Sequence, residues 1–145
     1  MKTWPGHRSR NVAVACGALV IGMCAWSASV GGGSASSLED LLRRWEAQDG
    51  AAFIEVGHEM SEFFVAHPRQ FLDTMSRKPE AWQSWLDGLP VHTFTAYREG
   101  ARAECEQLRR VMIAKAEPLV SDPSVGNSAT SLLTAIKKTP VREID

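Results

Sequence analysis

Residues 67–94, HPRQFLDTMSRKPEAWQSWLDGLPVHTF, decide the layout of this chain. Pro68, Pro79 and Pro90 stand eleven residues apart, and each is followed within four positions by an aromatic side chain: Phe71, Trp82 and Phe94. Proline suits the first turn of a helix, where its missing N–H costs nothing, and it pushes the residue before it toward extended geometry. The spacing predicts short helices, each opened by a proline and each turning an aromatic face inward. Two of them, Pro68–Arg77 and Pro79–Gly88, would bury Phe71, Leu72 and Met75, then Trp82, Trp85 and Leu86. Helices this short do not hold alone in water, so tertiary contacts must fix them.

Upstream, Ser37 can cap a helix whose apolar stripe is Leu38, Leu41, Leu42 and Trp45, with Asp40 three residues after the cap. Asp49-Gly50 breaks it. A second helix follows with Phe53, Val56, Gly57, Met60, Phe63 and Phe64 on one face and Glu55, Glu59 and Glu62 opposite, until His67-Pro68 ends it. Downstream of Pro90, a long helix is predicted from Thr93 to Glu117, with Phe94, Tyr97, Ala101, Cys105, Leu108 and Met112 as its seam. Within it, Gly100 would cost about 1 kcal/mol relative to alanine, and Glu106 would support Arg110 one turn on. Residues 121–127, SDPSVGN, read as a loop, and Ser128–Lys138 as a last amphipathic helix with Leu132, Leu133 and Ile136 inward. Residues 139–145 are expected to fray. No alternating run is long enough to argue a strand, Val91–Thr95 being the nearest. The fold expected is all-α, five or six helices over residues 36–139 arranged as antiparallel hairpins, a short α-solenoid or irregular bundle.

The first 35 positions differ from the rest. Lys2, Arg8 and Arg10 precede an uncharged run whose apolar centre is Val12–Trp26 and whose exit is small residues. A basic start, an apolar middle and a small-residue exit describe a secretory signal peptide, with cleavage after Ser27 or Ala35. The alternative is an uncleaved anchor through residues 12–30, which approaches the ~20 residues needed to cross a bilayer. In both cases the remainder is exported, secreted or periplasmic, and the membrane is met only through this segment.

Of the 145 residues, those from Ser36 onward carry 13 Lys and Arg against 17 Asp and Glu, a net charge of −4 with histidines neutral. The signs are interspersed and no basic block exceeds a pair, so no nucleic-acid partner is expected. Cys105 is the one cysteine past the leader, where Cys16 and Cys24 lie. It can pair only with a cysteine of another chain, so apolar burial must stabilise the domain.

His58 and Glu62 lie one turn apart in HEMSE, residues 58–62, a partial likeness to the zinc-protease pattern in which two histidines four apart share a helix face. A metal-dependent hydrolase built on them would need a third ligand, and only His67 and His92 remain as histidines past the leader. The reading favoured for these residues is a solvated polar face, since a match this partial is common by chance. Cys105 with His92 suggests a thiol and a base, but Cys105 falls on an apolar seam, where cysteine acts as a small hydrophobe. No nucleophile elbow and no phosphate-cradling loop is present, so neither a cofactor nor a catalytic set is expected. Trp82 and Trp85 share a helix face, and Trp45 can extend it. They fill a core or form an aromatic patch for another protein. The function expected is an exported, non-catalytic, protein-binding or accessory module.

Overall fold

Residues 37–47 and 52–144 are described by a computed structural model. The leader, the Gly/Ser connector up to Ser36 and the Asp49-Gly50 break lie outside these residues. About three quarters of what is described is helical, in six α-helices, so the all-α expectation holds.

Pro68 and Pro79 do open helices. They occupy the first turns of α3 (Pro68–Ser76) and α4 (Pro79–His92), preceded by non-helical backbone at His67 (φ −134°, ψ 61°) and Lys78 (φ −128°, ψ 69°). Phe71, Leu72 and Met75 of α3 are fully buried, as is Trp85 of α4. Each such side chain stabilises the fold by roughly 1.5–3 kcal/mol through removal from water. Ahead of them, α1 (Leu38–Ala47) buries Leu38, Leu41, Leu42 and Trp45. Its start is capped by Ser37, whose Oγ accepts the Asp40 amide at 3.2 Å and whose hydroxyl donates to Asp40 Oδ2 at the same distance. Helix α2 (Ala52–Ala66) buries Val56, Gly57, Met60 and Phe64 as its spacing requires, with Ser61 among them. Arg44 of α1 donates both guanidinium nitrogens to the Glu59 carboxylate of α2, at 2.7 and 3.0 Å, which fixes how the two helices meet.

Pro90 corrects the sequence reading. It does not open a helix; it lies in the last turn of α4, which runs on to His92. Leu89 and His92 continue the inward face of Ala81, Trp85 and Gly88, and their burial outweighs the lost N–H. The N–H that Pro90 lacks would have bonded the Leu86 carbonyl one turn earlier, so a single bond of the helix ladder is given up.

The long helix expected from Thr93 also yields. Helix α5 is only Arg102–Ala116. Thr93 and Phe94 are buried in irregular backbone, and Thr95–Ala96 form a short strand, β1. Tyr97, expected on the seam, faces solvent. Gly100 is not helical; its φ of +77° places it in the left-handed region that glycine occupies at least cost, turning the chain into α5. Cys105 and Leu108 are half-buried and Met112 fully buried. Arg110 bonds Gln107 Oε1, at 2.8 and 3.2 Å, rather than Glu106.

Pro118 ends α5 in a single 3-10 turn, Glu117–Leu119. The following turn is held by Asp122, whose Oδ1 accepts the amide and hydroxyl of Ser124 at 2.8 and 2.6 Å. Helix α6 (Gly126–Lys138) then buries Ala129, Leu132, Leu133 and Ile136. Its last turn is tied to α5 by Arg109, which donates to the Ile136 carbonyl from Nε and from a terminal nitrogen, at 3.3 and 3.2 Å.

The expected frayed tail is ordered instead. Residues Arg142–Glu143, β2, pair parallel with β1, Thr95 opposite Arg142 and Ala96 opposite Glu143. The Arg142 amide donates to Phe94 O at 2.8 Å and the Ile144 amide to Ala96 O at 3.3 Å. Val141, 7 % exposed, anchors the tail in the core. No helix among the described residues is long and apolar enough to cross a membrane.

Candidate functional site

Three polar side chains are fully sequestered among the described residues: Ser61, His92 and Thr93. Buried polar groups are tolerated only when hydrogen-bonded, and these bond one another. His92 ends α4, Thr93 follows it, and Ser61 lies across from them on α2. The imidazole enters a slot made by two glycines. A Cβ on Gly57 would lie 2.3 Å from His92 Cγ, and one on Gly88 would lie 2.7 Å from His92 Cδ2 and 2.6 Å from Phe53 Cζ. Trp45 and Phe53 meet the ring edge-on at centroid distances of 5.5 and 5.4 Å, and Trp85 stacks along it at 6.0 Å.

The protonation pattern follows from the partners. His92 Nε2 lies 3.0 Å from the Trp85 carbonyl oxygen, which can only accept, so Nε2 carries the proton. Burial holds the ring neutral and pushes its pKa down to about 4, against a smaller opposing effect of that same carbonyl. In the neutral ring Nδ1 is bare, so Thr93 donates to it across 2.7 Å. Thr93 Oγ1 in turn lies 2.7 Å from Ser61 Oγ, which is also 3.0 Å from Gly57 O. Trp85 Nε1–H donates to that same Gly57 carbonyl at 3.3 Å.

The tryptophans are thereby placed. Trp45 and Trp85 belong to the core. Trp82 is half-buried, stacked on Trp85 at 5.7 Å and set edge-on to Phe71 at 6.5 Å, with part of its surface open. His58 and Glu62 do share the outer face of α2, with Nε2 and Oε1 3.7 Å apart and both side chains largely exposed. His92 turns away from them into the core with both nitrogens engaged, so it is neither a third ligand beside His58 nor a base for Cys105. The Cys105 thiol is raised above its ordinary pKa, first by burial and then by Glu104. Among the described residues no group of three or more His, Cys, Asp or Glu stands close enough to hold a metal ion.

The sequence reading missed the Ser61–Thr93–His92 chain and the exposed apolar side chains beside the ribbon. The signal for Ser61 was present, since it falls on the inner face of α2 between Gly57 and Phe64. Val91, Tyr97 and Ile144 are 43 %, 48 % and 60 % exposed, three of the four large apolar side chains found at the surface among the described residues. Tyr97 OH donates to the Val91 carbonyl at 3.0 Å, and Ile144 follows Glu143 as Tyr97 follows Ala96 in the parallel register. All three lie in or beside the segments that form the β1–β2 ribbon.

What the fold and these groups define is a small helical domain with its polar chemistry folded inward. Compared with known protein families, curated proteins and solved structures, the chain matches none of them.

Proposed function

We propose that this chain is an exported, non-catalytic helical module that binds another protein, with its helices paired as antiparallel hairpins. Export is supported by the basic start, apolar middle and small-residue exit of residues 1–35. Binding is supported by one observation above the rest: Val91, Tyr97 and Ile144, three large apolar side chains, are all exposed in or beside the segments that form the β1–β2 ribbon. Exposed apolar side chains are common singly, and contiguous ones mark interaction surfaces. Tyrosine is enriched at binding hot spots, and here its hydroxyl is already held by Val91 O, which lowers the entropy lost on docking. The buried placement of His92, Thr93 and Ser61 supports a structural rather than a catalytic role for them. Of Trp45, Trp82 and Trp85, Trp82 is the one with surface to offer, while Trp45 and Trp85 act through the core.

The test is affinity capture from the exported fraction of the native host with wild-type protein, Tyr97→Ser and Ile144→Ser side by side. A partner held by wild type and lost from both variants, with their melting temperatures unchanged, supports the reading. A partner retained by both variants removes the ribbon end from it.

A further inference from the structure

The buried Ser61–Thr93–His92 chain has a property that a merely satisfied core network lacks: it can be read in either direction. In the neutral state Ser61 donates to Thr93, Thr93 donates to His92 Nδ1, and His92 Nε2–H donates to Trp85 O. Gly57 O then keeps the Trp85 indole as donor. Add one proton to Nδ1 and the order inverts without moving a heavy atom. Nδ1–H donates to Thr93, Thr93 donates to Ser61, and Ser61 donates to Gly57 O, which already lies 3.0 Å from its hydroxyl. His92 Nε2 keeps its bond to Trp85 O throughout. Every donor is satisfied in both states, and the proton that enters comes from solvent.

The geometry points to a reversible relay: Ser61 and Thr93 are positioning residues that let the folded protein take a second proton on His92, by turning two hydroxyls away from the ring toward Gly57 O. The relay joins elements distant in sequence. It fastens the segment leading into β1, through Thr93, to the middle of α2, through Ser61. The surroundings contribute little competing charge. Helix α1 presents Trp45 to the ring, and α4 presents Trp85 and Gly88. Helix α2 presents Phe53, Gly57 and Ser61, and its His58 is the one titratable group acting on the ring across space. What opposes the second proton is first burial and then the charge of His58, and what allows it is the pair of hydroxyls together with the Trp85 carbonyl.

Long-range proton–nitrogen NMR of the full chain labelled with 15N tests this across a pH titration. At neutral pH the wild-type His92 is expected to show a protonated Nε2 and a bare Nδ1, and on acidification Nδ1 gains its proton while the protein stays folded. Ser61→Ala never touches the imidazole, yet it leaves the Thr93 hydroxyl without an acceptor once the ring is charged. Its His92 midpoint should fall by about one to two pH units. Thr93→Ser keeps the hydroxyl and should keep the wild-type midpoint. The relay is refuted by a neutral ring protonated on Nδ1, or by a Ser61→Ala midpoint equal to wild type. Unfolding of the wild type before His92 titrates refutes it as well, with no variant required.

Discussion

The imidazole of His92 occupies the volume that a side chain on Gly57 would need: a Cβ there would fall 2.3 Å from the ring. The His92 ring thus packs directly on the backbone of α2 at Gly57, a wedge between that helix and the end of α4.

Gly57→Ala and Gly88→Ala should each destabilise the fold by about 1–3 kcal/mol or more, because the nearest atoms belong to rings already packed on all sides. Gly100→Ala is the informative contrast. No atom lies within 4 Å of its added Cβ, so only the φ of +77° is penalised, at about 1–2 kcal/mol. Urea midpoints of the three variants give the ranking. A Gly57→Ala shift smaller than that of Gly100→Ala would contradict the wedge.

Stability should depend on pH through His92. Its folded pKa, about 4, lies below the ordinary 6.5 of an unfolded histidine. The stabilisation is then complete above pH 6.5 and drains away as pH falls toward 4, where the unfolded chain binds the proton and the folded one resists it. Two and a half pH units correspond to about 3 kcal/mol at full effect. Asp122 works in a different window. Hydrogen bonds from Ser124 hold its carboxyl below the ordinary 3.8, so its contribution is lost only in stronger acid. Denaturant titrations between pH 7.5 and 4 on wild type and His92→Gln should show a slope in the first that is flattened in the second.

Trp85 and Trp82 should separate. Trp85→Ala removes a fully buried ring in contact with Phe71 at 5.0 Å and should cost about 3–5 kcal/mol. Trp82→Ala should cost clearly less, since that ring is only half-buried. Melting temperatures decide this, and comparable drops would place Trp82 in the core as well.

Hydrogen exchange should find the amides of Arg142 and Ile144 slowed, because each donates to a β1-segment carbonyl while Val141 anchors the strand from within. Val141→Asp should release both. Exchange at the free-peptide rate in wild type would mean that β2 is not formed.

Much of the helical layout was legible because it is local. The stripes of α1 and α2 and the prolines that open α3 and α4 declare themselves within a turn or two. Pro90 misled for the same reason: the rule that prolines open helices is local, whereas α4 continues because Leu89 and His92 find their burial on other elements. The ribbon left no trace at all. Two-residue strands carry no alternation, and pairing Thr95 with Arg142 is a decision of tertiary packing. Gly100 looked like a costly helix residue because nothing nearby announces that the helix starts only at Arg102. The polar chain was hidden by distance: Ser61 and Thr93 are 32 positions apart, and neither adjoins a recognisable motif. His92 was weighed as a ligand or base because sequence cannot say which way a ring turns.

That inward turn of His92 is most directly tested by modifying the native protein with diethyl pyrocarbonate at neutral pH and mapping each histidine by mass spectrometry. His58 and His67, both exposed, should react readily, while His92, 3 % exposed, should react only after denaturant is added. Modification of His92 in the native protein at the rate of His58 would contradict the account.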